Sequence, residues 1–280
     1  MNLSRILKSC FVFLMVCLAL GCAATSSTVI DPPEYSVKAP SSFVVEYTDM
    51  EFVLVPAGSF YMGSPEEEKN RDIDEGPVHK VEMSSFYMGK YEVTQSQWKK
   101  VMGKNPSFFK GSPSLPIENV SWDLVQKFMK VLNRKTGFNF RLPTEAEWEY
   151  ACRAKVQARF SSGNDEKALR EYAWFKDNSG EEPHQVGTLK PNNFGLYDMH
   201  GNVSEWIGDG RRGYLSDTIK DPIGGLSSKK AIHRGGCWLY PGRYCRSANR
   251  MDTEKNFRTH IIGFRLALDI SAIDFNKHLK

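Results

Sequence analysis

Arg141-Leu142-Pro143-Thr144-Glu145-Ala146-Glu147-Trp148-Glu149-Tyr150-Ala151 is the stretch whose reading fixes the architecture of the rest. Thr144 and Glu147 form a capping box. The hydroxyl satisfies an amide at the third helical position and the carboxylate reaches back to the cap, so the pair marks a helix start. Trp148, Tyr150 and Ala151 carry that helix onward. The same signals recur upstream. Thr94 precedes Gln95-Ser96-Gln97, and Trp98 and Val101 supply an apolar face. Ser121 caps a run in which Val125, Phe128, Met129 and Leu132 follow helical spacing until Gly137 stops it. Before these helices the pattern is extended. Phe52-Val53-Leu54-Val55 reads as a strand ended by Pro56-Ala57-Gly58, Phe60-Tyr61-Met62-Gly63 as a second, and Phe86-Tyr87-Met88 as the centre of a third. After Ala154 the regularity fades into Gly, Asn, Asp and aromatic residues without long periodic runs. Such loops, held on a scaffold, are where sites usually sit.

The flanks differ in kind. Arg5 and Lys8 precede a short apolar run from Phe11 to Leu20, and Ala19-Leu20-Gly21-Cys22 follows in the pattern of a lipobox. The reading is a signal peptide over 1–21 with Cys22 lipidated; an ordinary secretory peptide cut nearby is the alternative. Residues 22–46, rich in Ser, Thr, Pro and Ala, read as a flexible tether. Residues 47–270 then read as one domain and 271–280 as a tail. The expected location is the cell envelope, lipid-anchored at the periplasmic face of the outer membrane. Apolar residues make up 41% of the 280 and charged residues 25%, enough for a real core. The net charge of +4 falls to +2 once Arg5 and Lys8 leave. No basic run marks a nucleic-acid groove.

A series of motifs resembles one known family. It begins with Val55-Pro56-Ala57-Gly58-Ser59-Phe60-Tyr61-Met62-Gly63 and Glu75-Gly76-Pro77-Val78-His79. It continues through Tyr91-Glu92-Val93-Thr94, Pro116-Ile117-Glu118-Asn119-Val120-Ser121-Trp122 and the Arg141–Ala151 stretch. The second half adds Asn193-Phe194-Gly195-Leu196-Tyr197-Asp198-Met199, Gly201-Asn202-Val203-Ser204-Glu205-Trp206, Arg234-Gly235-Gly236 and Gly263-Phe264-Arg265. In order and spacing this is similar to the formylglycine-generating enzyme (sulfatase-modifying factor) family, over roughly residues 50 to 268. The resemblance implies an α+β, C-type-lectin-like, loop-rich fold. It also implies a copper(I) ion on two cysteines that, with O2, oxidises a peptidyl cysteine in sulfatases; soft thiolates suit that ion.

The resemblance also implies site residues, and here the chain departs from the pattern. Active members carry two cysteines five residues apart. In this chain Cys237 and Cys245 stand eight apart: counting forward from Gly236 puts the family cysteines on Tyr240 and Cys245, counting back from Gly263 puts them on Cys237 and Gly242, and no register places both. Cys237 and Cys245 therefore stand as copper ligands in a reshaped loop, as a disulfide, or as buried small residues. Arg250 resembles a family active-site arginine. Asp198, Gly201, Val203 and Glu205 match a calcium site of the family, with hard oxygen donors as calcium prefers; capping of turns by Asp198 and Glu205 is the alternative. Cys152 reads as a buried structural thiol. The six histidines show no metal spacing. Two functional readings follow: an oxidoreductase with an imperfect thiol pair, or a non-catalytic lectin-like module that binds a peptide or an envelope protein partner.

Overall fold

The computed structural model describes residues 39–225 and 229–273. The leader, Cys22 and most of the expected tether lie outside these residues, as does most of the tail. In chain order the strands β1 (Ser42–Val45), β2 (Met50–Val55), β3 (Gly58–Met62), β4 (His79–Met83) and β5 (Phe86–Gly89) come first. The helices α1 (Gln95–Met102), α2 (Trp122–Thr136), α3 (Glu145–Arg153) and the single turn α4 (Glu166–Leu169) follow. Six short strands complete the fold: β6 (Ser204–Trp206), β7 (Ile219–Lys220), β8 (Lys230–Arg234), β9 (Met251–Glu254), β10 (Ile262–Gly263) and β11 (Ala267–Asp269).

The strands make three small sheets, ordered β1-β2-β5-β11, β10-β6-β8-β9 and β3-β4-β7. The first is antiparallel throughout, with Val53 opposite Met88 and Leu268 opposite Tyr87. β11 thus closes the end of the fold onto its beginning. The other two each contain one parallel pair, β10 with β6 and β4 with β7.

The fold begins earlier than composition suggested. β1 comes from the stretch read as tether. Its inward residues Phe43 and Val45 are buried, and Phe43 stacks on Phe52 and Phe138 and meets Tyr87 edge-on. Only Phe43, Val44 and Val45 are apolar in sequence there, and β2 gives them a pairing edge that composition alone does not reveal.

The helices start and stop where their caps dictate. Thr94 and Thr144 make full capping boxes with Gln97 and Glu147, and Ser121 accepts from the Leu124 amide. Gly103 and Gly137 end α1 and α2 in the left-handed region. α2 buries Val125, Phe128, Met129 and Leu132 against a core in which Trp98 and Phe128 stack at 4.9 Å. α3 differs from both, because all nine of its residues are buried. Its glutamates Glu145 and Glu149 must therefore find charged partners inside the protein.

Candidate functional site

The Cys237 loop is set by two glycines that follow β8. Gly235 and Gly236 have φ of 96° and 70°. A Cβ on Gly236 would stand 2.7 Å from Cys245 Sγ and 2.8 Å from the Tyr244 carbonyl oxygen. Only glycine fits so close an approach in that conformation. The turn is fixed from outside by Ser204, whose hydroxyl donates to the Gly236 carbonyl at 2.8 Å, and by Trp238, whose amide donates to the Asn202 carbonyl at 2.8 Å.

Cys237 and Cys245 are thereby brought into one region, and both are free thiols with no exposed surface. They belong to different apolar groups: Cys237 to the large core, Cys245 to a cluster with Phe160, Leu169, Ala173 and Phe175. Burial pushes the Cys237 thiol up to about 12, partly opposed by the Leu239 and Tyr240 amides. Burial also holds Cys245 well above the usual thiol range, and the neighbouring Cys237 adds to it. Copper(I) requires thiolates that can deprotonate and be reached. A pair of neutral, enclosed thiols does not fit that ion.

The Tyr240 amide donates to the Cys237 carbonyl at 3.1 Å, but the Tyr240 side chain faces a cleft that the thiols do not line. Tyr240 and Arg250 line a 380 Å³ cleft together with Arg211, His233, Asp252 and Phe257, and neither cysteine lines it. Arg250 donates Nε and Nη2 to the Glu145 carboxylate, both at 2.7 Å, and Nη1 to the Asp74 carbonyl at 2.7 Å. Its guanidinium is committed to the scaffold. The buried Nδ1 of His233 has no hydrogen-bond partner among the described residues.

Cys152 sits beside His200, with Sγ 3.6 Å from Nε2, and resembles a nucleophile and base only in composition. The Ser161 amide donates to His200 Nε2 at 2.9 Å, so Nε2 is an acceptor. Nδ1 then carries the proton and donates to the Cys245 carbonyl at 2.8 Å. Burial lowers His200 to about 4 and raises Cys152 to about 12. Both groups are neutral at pH 7, as the structural reading of Cys152 expects.

The Asp198–Glu205 segment is bent by three unusual residues: Asp198 and Asn202 have φ of 59° and 54°, and Gly201 has 152°. A Cβ on Gly201 would come within 2.3 Å of the Trp174 carbonyl oxygen. Asp198 Oδ2 accepts from the Gly187 amide at 2.7 Å, while Oδ1 is buried without a partner. Glu205 takes the Arg265 guanidinium, with Nη2 at 2.6 Å, and the Trp148 indole N–H at 2.7 Å. Beside them lies Glu92, a residue the sequence reading did not single out. It accepts from the Val203 amide at 3.0 Å and the Asn202 side chain at 2.6 Å. Burial, then the charges of Asp198 and Glu205, holds the Glu92 carboxyl well above its ordinary range; burial lifts Asp198 to about 6. Three buried carboxylates thus face the Arg265 guanidinium. No three His, Cys, Asp or Glu side chains converge as a ready-made metal cluster among the described residues.

A second buried lattice hangs on α3. Glu149 accepts from the Gly63 amide at 2.9 Å, from Arg153 at 2.8 Å and from Arg234 at 2.5 Å. Arg246 pairs with Glu75 at 2.5 Å and Glu68 at 2.8 Å. The sequence reading quoted most of these residues as family motifs without assigning them work. What could have found them is the count of glutamates on a helix with no polar face.

Comparison with known proteins agrees with this fold. Residues 39–270 match the family model described as the sulfatase-modifying factor enzyme 1-like domain. A chaperone protein LppX of Paenibacillus barcinonensis is 33% identical over 74% of this chain and 88% of its own length. The formylglycine-generating enzyme of Mus musculus is 30% identical over 78% of this chain and 74% of its own. Among solved structures, PvdO from Pseudomonas aeruginosa superposes with a TM-score of 0.75 at 31% identity, covering 83% of this chain and all of that one. Treponema denticola variable protein 1 gives 0.75 at 29%, covering 82% of this chain and all of that one.

Proposed function

The chain belongs to the sulfatase-modifying factor family, and from that premise we propose that it is a non-catalytic member, a binding module held at the cell envelope by a lipid on Cys22. The observation that carries this is the complete burial of Cys237 and Cys245 outside the cleft that Tyr240 and Arg250 line. An oxidase of peptidyl cysteine needs a thiolate that both metal and substrate can reach. Here the cleft has kept aromatic, cationic and imidazole groups and has no thiol in its lining. The Tyr240 and Phe257 rings and the His233 Nδ1, unpartnered among the described residues, suit recognition of a peptide segment of an envelope partner. Fold alone does not decide activity, so the residues of the site must carry the argument.

The folded mature chain, residues 22–280 with Cys22→Ser, titrated with copper(I) and with a thiol reagent, tests the reading. The expected result is no tight copper uptake and no labelling of Cys152, Cys237 or Cys245 until urea unfolds the protein. One tightly bound copper, with turnover of a cysteine-containing sulfatase peptide lost in Cys245→Ser, would establish the oxidase instead. Lipidation of Cys22 is tested separately, by mass spectrometry of the membrane fraction.

Calcium is the ion suited to the Asp198 corner. Asp198, the carbonyls of Gly201 and Val203, and Glu205 would hold it, and Asp198 Oδ1 is an acceptor that lacks a donor. The ion would supply positive charge to a region where Asp198 and Glu205 face the single charge of Arg265 and where Glu92 resists ionisation. Calcorimetric titration checks this: calcium should bind and raise the unfolding temperature, and Asp198→Asn should abolish both effects.

A further inference from the structure

The segment from Thr94 to Gly137, which carries α1 and α2, holds eight basic residues against two acidic ones. All eight basic side chains, Lys99, Lys100, Lys104, Lys110, Lys127, Lys130, Arg134 and Lys135, are exposed. Of the two acids, Glu118 is buried, and only Asp123 is exposed. The whole chain is nearly balanced, with 37 basic and 33 acidic residues, so this is a local concentration of charge. Among the described residues only Lys100 of the eight meets a carboxylate, the exposed Asp49 at 3.6 Å.

The two helices are joined into one surface by Tyr47. Its hydroxyl donates to the Lys100 carbonyl, and its ring has the Lys100 ammonium at 5.6 Å and the Lys135 ammonium at 5.3 Å. Lys99, Lys100 and Lys110 also line one open groove of about 610 Å³ beside the end of α1. Tyr47 lies in the turn directly after β1, the strand by which the chain enters the fold from its N-terminal side. A four-residue strand is roughly 13 Å long, so the tether meets the domain about one strand's length from Tyr47.

We infer that this basic face docks on the surface of a bilayer rich in anionic phospholipid. The inference rests on the envelope reading above, since a lipid on Cys22 would hold the domain against such a surface. The 16 residues 23–38 extend at most about 55 Å. That length keeps the face within reach of the headgroups at high effective concentration. Each lysine near an anionic membrane strengthens binding by about five-fold. Electrostatic attraction of this kind falls away as added salt shortens the Debye length from about 10 Å at 0.1 M to 3 Å at 1 M. Cation-rich docking also orients the domain: with α1 and α2 turned to the headgroups, other surfaces are left for a partner.

The test uses the mature chain, residues 22–280 with Cys22→Ser, so that neither the apolar leader nor a lipid contributes, and sedimentation with vesicles. One set is phosphatidylcholine; the other contains 30% phosphatidylglycerol. Binding to the anionic vesicles should be at least ten-fold stronger at 0.1 M salt and should disappear at 0.5 M. The variant Lys99→Glu/Lys100→Glu/Lys135→Glu should lose the ten-fold preference while unfolding at the urea concentration of the parent. If that variant proves unstable, Lys99→Gln/Lys104→Gln/Lys110→Gln should lower binding by roughly a hundred-fold, about five-fold for each lysine. Equal binding to both vesicles, or a preference that survives the substitutions in a folded protein, would overturn the inference. So would tighter binding to a single-stranded DNA oligomer than to the anionic vesicles in the same buffer. Failure of Cys22 lipidation shows in mass spectrometry and leaves this vesicle result to be read by itself.

Discussion

Glu149→Gln is the substitution that probes the interior most directly. Glu149 is fully buried in the middle of α3 and accepts from Gly63, Arg153 and Arg234. Glutamine keeps the shape but removes the charge, and its amide N–H group would point at donors. Arg153 retains the Gly63 and Ala158 carbonyls, and Arg234 retains those of Ser247 and Asn249, so both guanidiniums stay hydrogen-bonded yet lose a counter-charge. Removing one partner of a buried pair costs about 3–5 kcal/mol. In a domain of this size that corresponds to a fall in melting temperature of roughly 6–20 °C. The pH dependence has a defined sign. Burial opposes ionisation of Glu149, but Arg153 and Arg234 outweigh it, so its carboxyl lies below the ordinary 4.5. Its contribution is full above about pH 4.5 and is lost as pH falls through the lower folded value. Urea unfolding of parent and variant at pH 7 and pH 3 measures both effects. The two should differ most at pH 7 and converge in acid. A loss under 1 kcal/mol at pH 7, or a difference that grows in acid, would refute the argument that the α3 lattice holds this half together.

Three further outcomes follow from the packing. Phe43→Ala removes a ring stacked between Phe52 and Phe138 and should cost about 3–5 kcal/mol by urea titration, whereas a residue in a loose tether would cost nothing. Gly236→Ala should destabilise by more than about 2 kcal/mol, because the new methyl meets Cys245 Sγ and the Tyr244 carbonyl at a positive φ; an unchanged melting temperature would show that the loop relaxes freely. Trp148→Phe deletes the indole donor to Glu205 and leaves a cavity beside Arg234, and should lower the midpoint by about 2 kcal/mol without altering vesicle binding.

The first half of the chain was legible because its signals are local. Capping boxes at Thr94 and Thr144, the Ser121 cap and the Gly137 stop all lie within one turn of the helix they define, and each stands where the sequence put it. β1 was not legible, since its partner β2 and its ring neighbour Phe138 are needed to make Phe43 a core residue. The site was legible as motifs and illegible as geometry. Spacing could say that Cys237 and Cys245 are eight apart. It could not say that both thiols would be fully buried beside each other, outside the lining of the cleft of Tyr240 and Arg250. Glu92 was quoted within a motif, but its place beside Asp198 was hidden for a related reason: its partners Asn202 and Val203 lie more than a hundred residues away.

The same long-range bonds explain how a chain with so little regular structure after α3 holds one conformation. β6, β8 and β10 have only two to five residues each, and strands this short supply few ladder bonds. Buried guanidiniums replace them. Arg265 takes the carbonyls of Gly89 and Tyr197 as well as Glu205, and so ties three separate segments with one planar fork. Arg234 does likewise for Glu149, Ser247 and Asn249, and Arg246 ties Glu68 and Glu75 to the turn that ends in Cys245. Arginine suits this work because its five donors are rigid and always charged, so one side chain can satisfy several loop carbonyls and a carboxylate together. None of these ties runs through the Cys237 or Cys245 thiol. The frame is therefore compatible with the proposed binding role, in which the cleft lined by Tyr240 and Arg250 does the recognising while Cys237 and Cys245 stay buried.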